Sequence, residues 1–97
     1  MSDGLENFRN EINNIDEELL NLLARRMQVS VSVGKYKKEN NIPILNSKRE
    51  EEVIQKVVSL SHSKTFLDMN EKIISIDDNF IESIWKNIMD YSKRLQN

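Results

Sequence analysis

With 97 residues, 38% of them apolar and 31% charged, the chain is one small domain that is short of core as a lone monomer. Two glycines and one proline exclude a turn-rich β-sandwich or barrel and both glycine-rich phosphate loops, while no cysteine and one histidine, His62, exclude disulfides, thiolate chemistry and Cys- or His-rich metal sites. A net charge of −2 argues against a nucleic-acid-binding domain; with no signal peptide and no run near the ~18 apolar residues of a membrane span, a soluble cytoplasmic protein is expected.

The first block runs from about Leu5 to Asn40. Leu5, Phe8, Ile12, Ile15, Leu19, Leu22, Val29, Val33 and Tyr36 occupy the a and d positions of one unbroken heptad count. The series has one polar member, Arg26. Asn40, Asn41 and Pro43 mark the helix end. A helix of about 36 residues is roughly 54 Å long. The other residues cannot wrap it, so its seam calls for a second copy. The expectation is an all-α chain that forms an obligate helical dimer.

The second helix is expected over about 47–62. Ser47-Lys48-Arg49-Glu50 fits a capping box, with Ser47 as N-cap and Glu50 reaching back. The third is expected over about 78–96, opening at Asp77 or Asp78 and carrying Ile81, Ile84, Trp85, Ile88 and Leu95 on one face. The connector, residues 62–76, reads as loop plus a helical turn, although 72–76 also has the pattern of a short strand. Residues 1–97 form a single domain in this reading.

Polar residues in apolar places point to chemistry. A charge in an apolar seam is costly unless it is paired. Arg26 therefore pairs with a carboxylate, specifies helix register, or binds an anion. Lys37 lies eleven residues on, within about 20° of the same face. The slim residues Ser30, Val33 and Gly34 lie between them, so the two cations flank a low floor suited to one small anion. Arg9 is 17 residues from Arg26, about 25 Å along the helix, and can approach that anion only from a partner chain; otherwise it makes a surface ion pair. Ser92 and Gln96 continue the Trp85 face, either as a fraying end or as hydrogen-bond donors to a ligand.

These residues carry a resemblance. Arg9, the run from Ile15 to Arg26, and Val33-Gly34-Lys35-Tyr36-Lys37 resemble the all-helical class of chorismate mutases. Pro43-Ile44 followed by Arg49-Glu50-Glu51 is similar to the start of that family's second helix, and Ser92 and Gln96 to the end of its third. The likeness is close over 5–60 and looser over 80–96.

The resemblance implies an intertwined dimer with two equivalent sites. Each takes Arg26, Lys37, Asn46, Arg49, Glu50, Ser92 and Gln96, with Val33 lining, from one chain and Arg9 from the other. It also implies the rearrangement of chorismate to prephenate, on the route to phenylalanine and tyrosine. That reaction is pericyclic and needs no cofactor or metal; the enzyme holds a flexible dianion in a reactive shape and stabilises charge on the breaking ether. By the resemblance, Arg26 and the partner's Arg9 bind the carboxylates with help from Ser92. Lys37 and Gln96 bond the ether oxygen. Glu50 accepts from the ring hydroxyl, and Arg49 supports Glu50 and Lys37.

The chain departs from the family at three places. Asn46 stands where aspartate is frequent, which weakens a side-chain role there. Leu45 stands where some members have arginine. The connector is about ten residues longer than in a compact member, and is either inert or a cover for the site. Two other functions fit the same residues: a lyase removing pyruvate from isochorismate, and a non-enzymatic helical dimerisation module. A fusion fragment fits less well, because the chain starts at Met1 and stops just after Gln96 as a free-standing enzyme does.

Overall fold

The computed structural model describes residues 3–97; Met1 and Ser2, where the expected domain begins, lie outside the described residues. The chain order is α1 (Gly4–Glu39), α2 (Ser47–Ser63), β1 (Phe66–Leu67), β2 (Ile73–Ile74) and α3 (Asp78–Gln96). No helix of the described residues is long and apolar enough to cross a membrane.

The helix ends follow from local side-chain chemistry. Asp3 caps α1 by accepting from the Leu5 N–H at 3.1 Å. At its other end Asn41 is left-handed, with φ 55°, and the Ile42 N–H donates to the Lys37 carbonyl at 2.8 Å. That six-to-one bond is a Schellman closure, made with asparagine where glycine is usual. It turns the chain back so that 42–46 runs beside the last turn of α1.

The start of α2 corrects the expected capping box. Asn46, not Ser47, is the N-cap, and its Oδ1 accepts from the Arg49 N–H at 3.0 Å. The Asn46 side chain thus holds the first turn of α2. Glu50 does not reach back as the box requires; its carboxylate turns toward α3. Asp77 caps α3 by accepting from the Phe80 N–H at 3.0 Å.

The connector holds a small antiparallel hairpin rather than a helical turn. Phe66 pairs with Ile74, and Leu67 with Ile73. Asp68 organises the turn by accepting from the N–H groups of Asn70 at 2.8 Å and Lys72 at 2.9 Å. Glu71 there takes a left-handed φ of 65°. His62 and Asp78, 2.7 Å apart, tie the end of α2 to the start of α3.

Helix α3 packs against both α1 and α2, while α1 and α2 do not pack on each other. The gap between them is the important feature of the fold. The molecule is 60 × 28 × 16 Å with a radius of gyration of 17.4 Å, against about 13 Å for a compact domain of this length. The excess is the free N-terminal half of α1. Ile81 and Met89 are the only buried apolar side chains among the described residues, and neither is completely enclosed. Along the seam Ile12, Ile15, Leu19 and Leu22 are each more than half exposed.

At the C-terminal end α1 and α3 approach closely because of Gly34. A Cβ there would sit 2.6 Å from Gln96 Cα and 2.9 Å from the Gln96 carbonyl oxygen. Both atoms belong to backbone, so the helices would have to separate. We expect Gly34→Ala to lose about 1–2 kcal/mol of stability, because overpacking of about 1–3 kcal/mol outweighs the gain of about 0.5–1 from helix propensity. Thermal unfolding checks this; an unchanged or raised Tm would show that the last turn of α3 yields freely.

Candidate active site

The gap between α1 and α2, floored by α3, is a cleft of about 340 Å³, within the size range of small-ligand sites. Arg26, Val33 and Lys37 enter it from α1, Asn46 from the linking segment, Arg49 and Glu50 from α2, and Ser92 and Gln96 from α3. All eight residues expected from within one chain therefore meet in a single cavity. Residues 62–77 line none of it, so the hairpin does not cover the cleft within the protomer.

Each polar side chain is held by something nameable. Ser92 is only 4% exposed, so the end of α3 is packed rather than frayed. Its hydroxyl donates to the Ile88 carbonyl at 2.9 Å and accepts from Arg26 Nη1 at 3.0 Å. This is the partner that Arg26 finds within its own chain; among the described residues no carboxylate of the chain reaches it. A guanidinium has five N–H donors, so most of them stay available to the cleft. Ser30 is buried beneath, its hydroxyl donating to the Arg26 carbonyl at 3.1 Å.

Lys37 Nζ donates to the Ile44 carbonyl at 3.0 Å and to Gln96 Oε1 at 3.3 Å. The Schellman turn supplies the first partner and the Gly34 contact supplies the second. Because Gln96 Oε1 faces the ammonium, its NH₂ is the end left over, so Lys37 and Gln96 present adjacent donors.

Arg49 is largely exposed and lies 3.9 Å from Glu52; among the described residues no side-chain hydrogen bond or ion pair joins it to Glu50 or Lys37, so its supporting role has no bond behind it here. Arg9 lies outside the cleft on the free half of α1, 4.0 Å from Glu6.

One residue of the cleft escaped the sequence reading. Lys93 lines it, and its Nζ donates to Glu50 Oε1 at 2.9 Å. Four residues after the buried Met89, it is a cation on the packed face of α3, and that spacing is the signal that finds it. Arg26, Lys37, Arg49 and Lys93 thus face one carboxylate, Glu50, in a chain whose net charge is −2. The cleft is positive on an acidic protein, which suits a small anion.

Fold and cleft together define a class: a three-helix protein with a cationic pocket for a small anion. Residues 8–97 match the family described as chorismate mutase type II, and the chain belongs to that family. It is 36% identical over 85 residues to the bifunctional chorismate mutase/prephenate dehydratase of Buchnera aphidicola subsp. Baizongia pistaciae, covering 88% of this chain and 20% of that protein. It is 36% identical over 53 residues to the T-protein of Haemophilus influenzae, covering 55% of this chain and 14% of that one. The chain thus spans a fifth or less of these curated relatives. Among solved structures, a conserved hypothetical protein from Pyrococcus furiosus matches over 100% of both chains with TM-score 0.72 and 30% identity. A chorismate mutase (form II) from Thermus thermophilus shares the fold with TM-score 0.80 and 23% identity, over 97% of this chain and 94% of that one.

The Glu50–Lys93 pair has a measurable signature. The hydrogen bond to Glu50 is the main cause that raises Lys93 above its ordinary value of 10.5; burial works the other way, and Asp90 adds to the rise. A raised folded value means stability that is fully present below the unfolded pKa and is lost as pH rises through the folded one. We expect unfolding free energy to fall above about pH 10.5 as Lys93 deprotonates, and Lys93→Met to show a shallower fall. Urea titrations of both proteins from pH 9 to 12 check this; parallel curves would mean that the pair contributes nothing.

Proposed function

We propose that this chain is a chorismate mutase, converting chorismate to prephenate, and that it works as a homodimer with Arg9 supplied in trans. The observation that carries the reading is the convergence of all eight expected residues from three helices and one turn on a single cationic cleft.

The mechanism follows from the donors. Chorismate carries two carboxylates, and Arg26, with Ser92 beneath it, takes one of them. The other goes to Arg9 of the second chain, because the chain's own Arg9 is about 25 Å from Arg26. Clamping both ends selects the folded conformer in which the reacting atoms approach. As the C–O bond breaks, negative charge grows on the ether oxygen. Lys37 and Gln96 offer it adjacent donors, fixed beforehand by the Ile44 carbonyl and the Gly34 contact. Glu50 accepts from the ring hydroxyl. A rate enhancement near 10⁶ corresponds to about 8 kcal/mol, within reach of such contacts plus the restricted conformation.

The exposed seam supports the dimer. Each half-exposed Leu or Ile adds about 1 kcal/mol when covered, and a seam of this length adds a large share of a domain's ordinary 5–15 kcal/mol.

The direct test mixes the purified protein with chorismate and follows loss of its absorbance, with prephenate identified as product. Turnover of isochorismate alone would select the lyase instead. Arg26→Ala and Lys37→Ala are each expected to cost about 10²–10³-fold or more in kcat while far-UV helicity and dimer mass persist. Near-normal activity in Arg26→Ala would make the seam arginine structural.

The rate is expected to stay nearly flat from about pH 5 to 9, since an amide and an ammonium face the ether oxygen. A sharp ionisation near neutrality would contradict that assignment. Sharing of Arg9 is read by mixing two inactive variants, Arg9→Ala and Arg26→Ala. Half of the random dimers then hold one intact site, so about a quarter of normal activity returns; no recovery after subunit exchange would place Arg9 outside the site.

A further inference from the structure

The role assigned to Glu50 needs its carboxylate to be held in place and aimed at the ligand, and nothing on its own helix does either. Its backbone N–H is bound to the Asn46 carbonyl at 3.1 Å. Its neighbours on α2 are Glu51, which shares with it a groove that also holds Glu82, Lys86 and Asp90 of α3, and Arg49, whose ion pair at 3.9 Å is with Glu52. Left alone, Glu50 would face like charges on that side and have no fixed partner on the other.

Lys93 supplies both requirements. Its ammonium lies 2.9 Å from Glu50 Oε1 and 3.5 Å from Oε2, and the two side chains are only 31% and 28% exposed. The pair joins α2 to α3 across the cleft wall. Lys93 also lies 3.4 Å from the exposed Asp90, which restrains the ammonium from behind. The long contact to Oε2 leaves that oxygen with lone pairs for another donor. Arg26 and Lys37 of α1 line the same cleft but are bonded to Ser92, the Ile44 carbonyl and Gln96.

We propose that Lys93 is a positioning residue: its ammonium holds the Glu50 carboxylate so oriented that Glu50 Oε2 accepts a hydrogen bond from the substrate hydroxyl. The proposal rests on the mutase reading of the cleft. Lys93 acts through Glu50 and does not touch the substrate itself.

A double-mutant cycle on the full chain tests it, with steady-state kinetics on chorismate for the parent protein, Lys93→Met, Glu50→Gln and the double variant, and circular dichroism to check folding. Lys93→Met keeps the apolar stem and removes the charge. It is expected to lower kcat/KM by about fivefold to tenfold, the size of a coupling between contacting groups. Most of the loss should fall on KM, since the hydroxyl contact is made with substrate and transition state alike. Lys93→Arg should recover most of it. In the Glu50→Gln background, Lys93→Met should have no further effect. Losses that multiply, or failure of Lys93→Arg to rescue a folded protein, would overturn the proposal and leave the mutase reading standing. A parent protein that does not turn over chorismate would overturn both.

Discussion

A helix of 36 residues in a chain of 97 is the constraint from which the rest of the structure follows. The chain has only α3 to lay directly against it, and α3 is 19 residues long. Cover goes to the C-terminal half, where Ser30 and Gly34 are buried. The N-terminal half keeps its Leu, Ile and Phe side chains half exposed. The same shortage explains why α1 and α2 stand apart. With α3 packed between them, the two outer helices cannot close, and the space left over is the cleft. The scarcity of core that makes the monomer poor is also what makes room for a ligand.

The cleft obtains its charge by placement rather than by number. Arg26 occupies a position where the heptad asks for an apolar residue, and it is tolerated because Ser92 meets it from α3. Lys37 sits in the last turn of α1, where the helix C-terminus favours a cation and where the returning chain brings the Ile44 carbonyl to it. Lys93 is held by Glu50. Arg26 and Lys37 are each anchored by one or two contacts and keep donors in reserve, which is the arrangement that a preorganised anion site requires.

Much of this is legible in the sequence. The heptad count places α1 within a residue at each end, and the polar break at Arg26 with its echo at Lys37 points to the cleft. The family resemblance, too, is borne out. What escapes is set by contacts that sequence spacing does not report. Ser47 and Asn46 are both good N-caps, and the choice between them depends on the non-helical backbone at residue 46, where the chain returns from the Schellman turn. The hairpin strands are two residues each, too short to show alternation, and its turn uses Asp68 and Glu71 where glycine would have been the cue. The spacing of Lys93 from Met89 puts it on the packed face of α3, but its partner Glu50 lies 43 residues away in the chain, and no spacing reports that pairing.

Gln96 is the last helical residue of the chain, and the contact at Gly34 is what pins it. Helix ends are where local opening costs least. The cleft therefore includes a group from a terminal helical turn, held to α1 by one close backbone contact and one 3.3 Å hydrogen bond. An anion that engages Lys37 and Gln96 together would stitch that turn down. Occupancy of the cleft and order at the end of α3 then become two measures of one equilibrium, so a ligand would register as much in the protection of the last few backbone amides as in any change of shape.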